Sequence, residues 1–231
     1  MESVLKLMYQ LTLILFILVN FGCTVKPDEL TSKTSIVEIL KLAELSTNRK
    51  LFKEAGDFYM ELDRLYPYSD EARTALIQAM KSYHSGSDLI NARLSARRYL
   101  TLYPEGPDAP FSRYMVGLSF FDAIVDVQRD QGAAVHAVRE FQKLNIDYPK
   151  NTYSKRATKK LAIAYAQLAG QEMSVGRYYM KREDYLAAIN RFSIVVSKYS
   201  STIFEVEAVY RLTECYVALG MVSAAKENNT L

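Results

Sequence analysis

The chain has 231 residues, of which 49% are hydrophobic and 24% charged, with only nine glycines, six prolines and a formal net charge of +3. Such a composition excludes a disordered tail and predicts a chain that folds around a continuous buried core. The mild charge offers no bulk electrostatic case for nucleic-acid binding.

Residues 1–22 read as a signal peptide of the lipoprotein type. Lys6 precedes an apolar run over residues 7–19 that is broken only by Gln10 and Thr12. That length suits the hydrophobic region of a signal peptide and is short for a bilayer span. The run meets Gly22-Cys23, a small residue followed by cysteine, which looks like a bacterial lipobox. There the cysteine thiol is acylated and becomes the mature N-terminus. Asn20 and Phe21 stand where a lipobox usually has leucine and a small residue, and Glu2 weakens the positive leader. An uncleaved N-terminal anchor is the alternative. Residues 23–35 are then a polar, lipidated tether between membrane and first helix. The other cysteine, Cys215, lies among Val209, Leu212, Tyr216 and Leu219 at helical spacing. It reads as a small buried hydrophobe, and a lipid on Cys23 rules out a disulfide between the two.

From residue 36 onward the sequence repeats. Ala55, Ala92, Ala137 and Ala188 are each followed eleven residues later by Tyr66, Tyr103, Tyr148 and Tyr199, and then by Pro67, Pro104, Pro149 and Ser200. Phe52, Leu89, Ala134 and Tyr185 stand three before each alanine, and Leu62, Tyr99, Leu144 and Val195 seven after; a partial fifth copy centres on Ala225. Spacings of three, four and seven share one helix face, and a proline beyond that face stops the helix. The register fits the tetratricopeptide (TPR) pattern, with an aromatic four after the alanine at Tyr59, Phe141 and Phe192, from which Ala96 departs. Tyr83, Tyr179 and Tyr216, nine before their alanines, are bulky positions on the first helix of a repeat. Successive alanines lie 37, 45, 51 and 37 residues apart, against a standard of about 34. The prediction is therefore an all-α solenoid of about five divergent repeats, near 36–67, 72–104, 110–149, 153–200 and 204–231. A proline-free stretch between Lys155 and Arg182, with Leu161, Tyr165, Leu168, Val175 and Tyr179 at helical spacing, predicts one helix of roughly 40 Å joining an N-terminal half (36–150) to a C-terminal half (151–231).

Catalytic chemistry is hard to find. His84, near a turn, and His136, beside Ala137, lack a triad or metal partner at recognisable spacing. No phosphate-cradling glycine motif occurs. Asp122, Asp126 and Asp130 recur every four residues and are expected to form a solvated acidic helix face, with Arg129 nearby, since a calcium site calls for a loop with carbonyl ligands as well.

Four features together resemble the BamD (ComL) family, the lipoproteins of the outer-membrane β-barrel assembly machinery. They are the Gly22-Cys23 signal, the TPR frame, the segment Val125-Asp126-Val127-Gln128-Arg129-Asp130-Gln131, and the run Val175-Gly176-Arg177-Tyr178-Tyr179-Met180-Lys181-Arg182 followed by Tyr185-Leu186-Ala187-Ala188-Ile189-Asn190-Arg191-Phe192. The resemblance covers nearly the whole mature chain; Ser200 in place of proline and the short stretch after Ala225 depart from it. It implies a non-enzymatic scaffold, lipid-anchored at Cys23 on the periplasmic face of the outer membrane, with no cofactor besides that lipid. Its implied partners are unfolded outer-membrane proteins, the POTRA domains of a BamA-type barrel insertase and other assembly lipoproteins, but no nucleic acid. The N-terminal repeats would receive clients, and the C-terminal repeats would meet the insertase at Asn190 and Arg191.

For clients, Arg64, Tyr66 and Tyr68 crowd the first repeat junction, where a client's aromatic end would stack and Arg64 would meet its carboxylate. Alternatively, Tyr66 merely packs between repeats like Tyr103, Tyr148 and Tyr199. Arg191 equally reads as a surface arginine pairing weakly with Glu183 or Asp184. Two other classes share features with this chain. A TPR adaptor coordinating envelope growth with cell division shares the fold and export signal; a helical-ring lytic transglycosylase needs a lysozyme-like domain for which there is no room.

Overall fold

The computed structural model describes residues 25–228; the expected signal peptide and Cys23, the expected lipidation site, lie outside the described residues. A 3₁₀ turn (Pro27–Glu29) leads into ten α-helices among the described residues, which contain no strand. They are α1 (Ile36–Asn48), α2 (Phe52–Leu65), α3 (Asp70–Ser85), α4 (Leu89–Leu102), α5 (Ala109–Phe121), α6 (Gly132–Asp147), α7 (Thr152–Lys181), α8 (Tyr185–Lys198), α9 (Glu205–Ala218) and α10 (Val222–Asn228). Each packs mainly on its neighbours in sequence. Five successive pairs thus form an all-α solenoid, stabilised by interfaces between consecutive elements.

The recurring tyrosine caps helices. Tyr66, Tyr103, Tyr148 and Tyr199 are the C-caps of α2, α4, α6 and α8, and their N–H groups donate to the carbonyls of Leu62, Tyr99, Leu144 and Val195. Prolines 67, 104 and 149 then prevent the helix from continuing. Within the first, second, fourth and fifth pairs, the turn passes through a left-handed residue: Lys50, Ser87, Glu183 and Gly220, with φ of 61°, 57°, 61° and 74°. The next N–H, of Leu51, Asp88, Asp184 and Met221, donates back to the carbonyl of Ser46, Tyr83, Tyr179 and Tyr216. This is the Schellman arrangement, and it explains why those pairs keep one register.

The third pair breaks the rule. Between α5 and α6 the turn is replaced by the irregular segment 122–131, so Asp122, Asp126 and Asp130 do not share the helix face that their spacing predicts. Local hydrogen bonds stabilise the loop instead: the Asp126 carboxylate accepts from the Gln128 N–H at 2.8 Å, and the buried Gln131 amide donates to the carbonyls of Asp126 and Arg129. Asp122 turns to His84 across the second-to-third repeat boundary, Oδ2 to Nε2 2.8 Å.

Helix α7 spans 30 residues, about 45 Å at the usual rise. Its Ala157 belongs to the same core as Phe141, and its Ala169 and Met173 to the core around Phe192. One element therefore takes part in two cores. Cys215 is fully buried in the latter, where burial pushes its thiol pKa up.

The third and fourth pairs cross closely because a glycine faces an aromatic ring. A Cβ placed on Gly117 would lie 2.5 Å from a ring carbon of Phe141, and one on Gly176 would lie 2.5 Å from Phe192. The aromatic four after the repeat alanine thus fills the space left by a missing side chain on the preceding helix. In the second pair the roles are exchanged: Met80 and Ala96, both fully buried in one core, occupy the register of Gly176 and Phe192. The departure at Ala96 is a compensated swap. Gly176→Ala is expected to lower stability by about 1–3 kcal/mol, because Phe192 must leave its rotamer. Thermal unfolding followed by circular dichroism checks it; an unchanged midpoint contradicts tight crossing.

Candidate functional site

The residues expected to receive clients meet at the junction of the first two repeats. Pro67 fixes the turn after α2, and Tyr68 occupies its left-handed position with φ 68°, a conformation rarely adopted by a large side chain. The Ser69 N–H closes the turn onto the Tyr66 carbonyl, and the Ser69 hydroxyl caps α3 by accepting from the Ala72 N–H at 3.0 Å. This geometry aims the Tyr68 ring into solvent, 75% exposed.

Arg64 and Tyr66 are engaged differently. The Tyr66 hydroxyl donates to the carbonyl of Thr34 at 2.6 Å, and Arg64 Nη2 reaches the carbonyl of Leu30 at 3.5 Å while its Nε donates to Glu61 at 2.7 Å. Leu30 itself is buried in the first core. The two residues therefore hold residues 30–34 against α2, and the described part of the tether packs on the first repeat before α1 begins. Of the three, Tyr68 alone has its ring free for a ligand. Beside this corner, Pro27, Asp28, Asp57, Met60, Tyr83 and Leu94 line a groove of about 490 Å³. Burial lifts the Asp57 carboxyl above its ordinary range, partly offset by the bond it accepts from the Tyr83 hydroxyl at 2.6 Å.

At the other end, Asn190 is exposed on α8 and Arg191 is half-exposed. Arg191 does not pair with Glu183 or Asp184; its Nη1 meets Glu172 Oε2 on α7 at 3.1 Å. Glu172 is itself largely shielded, so the pair ties α8 to α7 and presets the arginine fork. Further along, Arg177 and Arg211 share Glu207, joining the fourth repeat to the fifth.

A third feature is missing from the sequence-based list. The two segments on which the family resemblance rests, 125–131 and 175–182, meet in space. Val127 and Gln128 face Gln171, Ser174, Val175, Tyr178 and Tyr179 across a cavity of about 460 Å³. The Gln167 amide donates to the Val125 carbonyl at 2.7 Å and pins the loop to α7. A Cβ placed on Gly170 would touch both Phe204 and Val127, so the loop and α9 close on the same glycine. The residues around this cavity are uncharged and the cavity is rimmed by tyrosines, so it suits a neutral or aromatic side chain.

The fold and its surfaces define an all-α helical-repeat protein with exposed aromatic and arginine positions. The YfiO family of outer membrane lipoproteins matches residues 33–231, and the chain belongs to that family. It is 34% identical over 184 residues to the outer membrane protein assembly factor BamD of Caulobacter vibrioides, covering 80% of this chain and 60% of that protein. With the BamD of Rickettsia prowazekii it shares 30% identity over 216 residues, 91% of this chain and 84% of the relative. The chain thus spans about three-fifths of the length of the Caulobacter relative. Among solved structures it is similar to a Podosopora anserina putative kinesin light chain with nearly identical TPR-like repeats, at 13% identity and TM-score 0.44, over 87% of this chain and 94% of that one.

Tyr68→Gly separates strain from recognition. Glycine adopts the left-handed turn freely, so stability is expected to stay level or rise by up to about 1 kcal/mol. If the ring contacts clients, capture of an unfolded outer-membrane protein falls by tenfold or more. Denaturant melts alongside a pull-down with a labelled client check both; loss of stability, or capture that persists, contradicts the assignment.

Proposed function

We propose that this chain is a non-enzymatic assembly factor of the outer-membrane β-barrel machinery, lipid-anchored through Cys23 on the periplasmic face of the outer membrane. The family match over residues 33–231 carries this reading, and the name shared by its relatives supplies the process. In it, residues 1–22 are the leader, 23–35 the lipidated tether, 36–150 the client-facing repeats and 151–231 the insertase-facing repeats. A preformed solenoid surface supports such work because it offers side chains in place and saves the ordering cost of binding.

Clients meet the first repeat junction. Tyr68 stacks on an aromatic near the client's end, while Arg64, held by Glu61, offers its remaining N–H groups to the terminal carboxylate. Tyr66 contributes indirectly, by keeping residues 30–34 in place beneath the site. The POTRA domains of the barrel insertase dock on α8 at Asn190 and Arg191. An arginine already oriented by Glu172 meets a partner carboxylate at low entropic cost.

Two outcomes test this proposal. Arg191→Ala is expected to keep its helical content and yet lose about 2 kcal/mol or more of affinity for the insertase's periplasmic domains, measured by calorimetry. Glu172→Gln, which frees the fork, is expected to leave that affinity equal or tighter; weakening in both variants in step with their melting points would assign the pair to internal stability alone. Separately, several acyl chains bind a bilayer far more firmly than one, at about 0.8 kcal/mol per buried CH₂. Cys23→Ser is therefore expected to release the protein from the outer membrane in fractionation. A variant that still fractionates there without the insertase contradicts lipid anchoring.

A further inference from the structure

A second cationic cluster centres on α4, whose Asn91, Leu94 and Ser95 also line the groove beside the first repeat junction. Phe120, near the end of α5, packs against the N-terminal half of α4 and the second turn of α6. The Arg93 guanidinium sits 4.2 Å from the centre of its ring and that of Arg97 5.8 Å, while His136 stacks on the ring at 4.8 Å with 23° between planes. Three side chains, two from α4 and one from α6, thus converge on one aromatic of α5.

Their charges are poorly balanced. Arg97 reaches only Glu140, at 3.9 Å, and Glu140 is shared with Arg113 at 3.8 Å. Among the described residues no carboxylate pairs with Arg93 and no hydrogen bond occupies its fork. Burial, and after it the neighbouring Arg97, pushes the Arg93 pKa down, as expected of a partly desolvated cation without a counter-charge. A guanidinium lying flat on a ring keeps its N–H edge free for a planar anion.

The surroundings select the kind of anion. Ile90, 63% exposed, lies on the same face of α4 as Arg93 and Arg97, and Val135, 48% exposed, directly precedes His136. Inorganic phosphate has no use for flanking aliphatic side chains. A membrane surface is attracted by broad basic area, whereas the unbalanced charge here comes from Arg93 and Arg97, one turn apart, with exposed Arg139 one turn beyond His136, in a chain of net charge +3. A protein segment that carries a carboxylate beside aliphatic residues matches both the charge and its margins.

We propose that Arg93, Arg97, Phe120 and His136 form a docking site for an acidic, aliphatic segment of a partner protein, built from residues other than those assigned to clients and the insertase. The partner's carboxylate takes the open edge of Arg93 and the loosely held edge of Arg97, and its apolar neighbours rest on Ile90 and Val135.

Fluorescence anisotropy on the detergent-solubilised full chain tests this with a labelled seven-residue peptide alternating glutamate and leucine. Its glutamine counterpart, inorganic phosphate and phosphatidylglycerol vesicles serve as competing probes. The glutamate peptide is expected to bind, Arg93→Gln to weaken it at least tenfold, and Arg93→Lys, which keeps the charge and removes the fork, to weaken it at least threefold. The Arg93 Nε–H resonance is expected to move on titration with the glutamate peptide and to stay fixed with the glutamine one. The site is overturned if the glutamate peptide fails to bind, if the glutamine peptide binds equally, or if both Arg93 variants bind within twofold of the parent. Displacement by equimolar phosphate, or Arg93-dependent binding to the vesicles, overturns the protein-segment assignment.

Discussion

The structure depends on one kind of contact, a large side chain seated on a small one where two helices cross. Phe192 on Gly176 and Phe141 on Gly117 bring the helix axes close enough that an added methyl group has no room. Close crossing buries the repeat alanines completely, aligns the next pair, and so fixes where the solenoid presents its surface residues. Dense packing permits little slippage, which is why a scaffold of this kind positions side chains over long distances.

That packing decides which residues are available for binding. Tyr68 is exposed because it completes the turn after the Tyr66 C-cap in the left-handed conformation, which the residues after Pro104 and Pro149 do not adopt. Arg191 is half-exposed because its neighbour Phe192 must point at Gly176, which leaves the guanidinium to lie across α7 and meet Glu172. Phe120 opens a cationic platform because segment 122–131 follows α5 in place of the short turn used by the other pairs. Each surface therefore traces to a local departure from the repeat, made on a frame that the repeat holds constant.

Much of this was legible in the sequence. The Ala–Tyr–Pro spacing discloses the helix pairs, because a proline stop at fixed distance marks both the face and its end. The unbroken helical spacing before Arg182 discloses α7, and the apolar company of Cys215 discloses its burial. The acidic triplet misleads: Asp122, Asp126 and Asp130 have helical spacing, but carboxylate-to-backbone bonds in a short stretch outweigh periodicity. The partner of Arg191 was equally out of reach, since Glu172 lies nineteen residues back and its approach depends on the angle between α7 and α8. Gly117 and Gly176 escape notice for a simpler reason, because a packing pattern is read from what is large, and here the small residue sets the distance.

The second repeat offers the most direct measurement. Met80 and Ala96 hold the same register as Gly176 and Phe192 with the sizes exchanged. A double-mutant cycle of Met80→Gly and Ala96→Phe, read by denaturant unfolding, reports whether size complementarity across the crossing is what stabilises the pair. Each single change is expected to cost about 2–4 kcal/mol, one by leaving a cavity and the other by overpacking. The double variant is expected to recover about 2 kcal/mol or more of their sum, a coupling within the range known for residues in contact. Additive losses would contradict the claim that this crossing governs the fold.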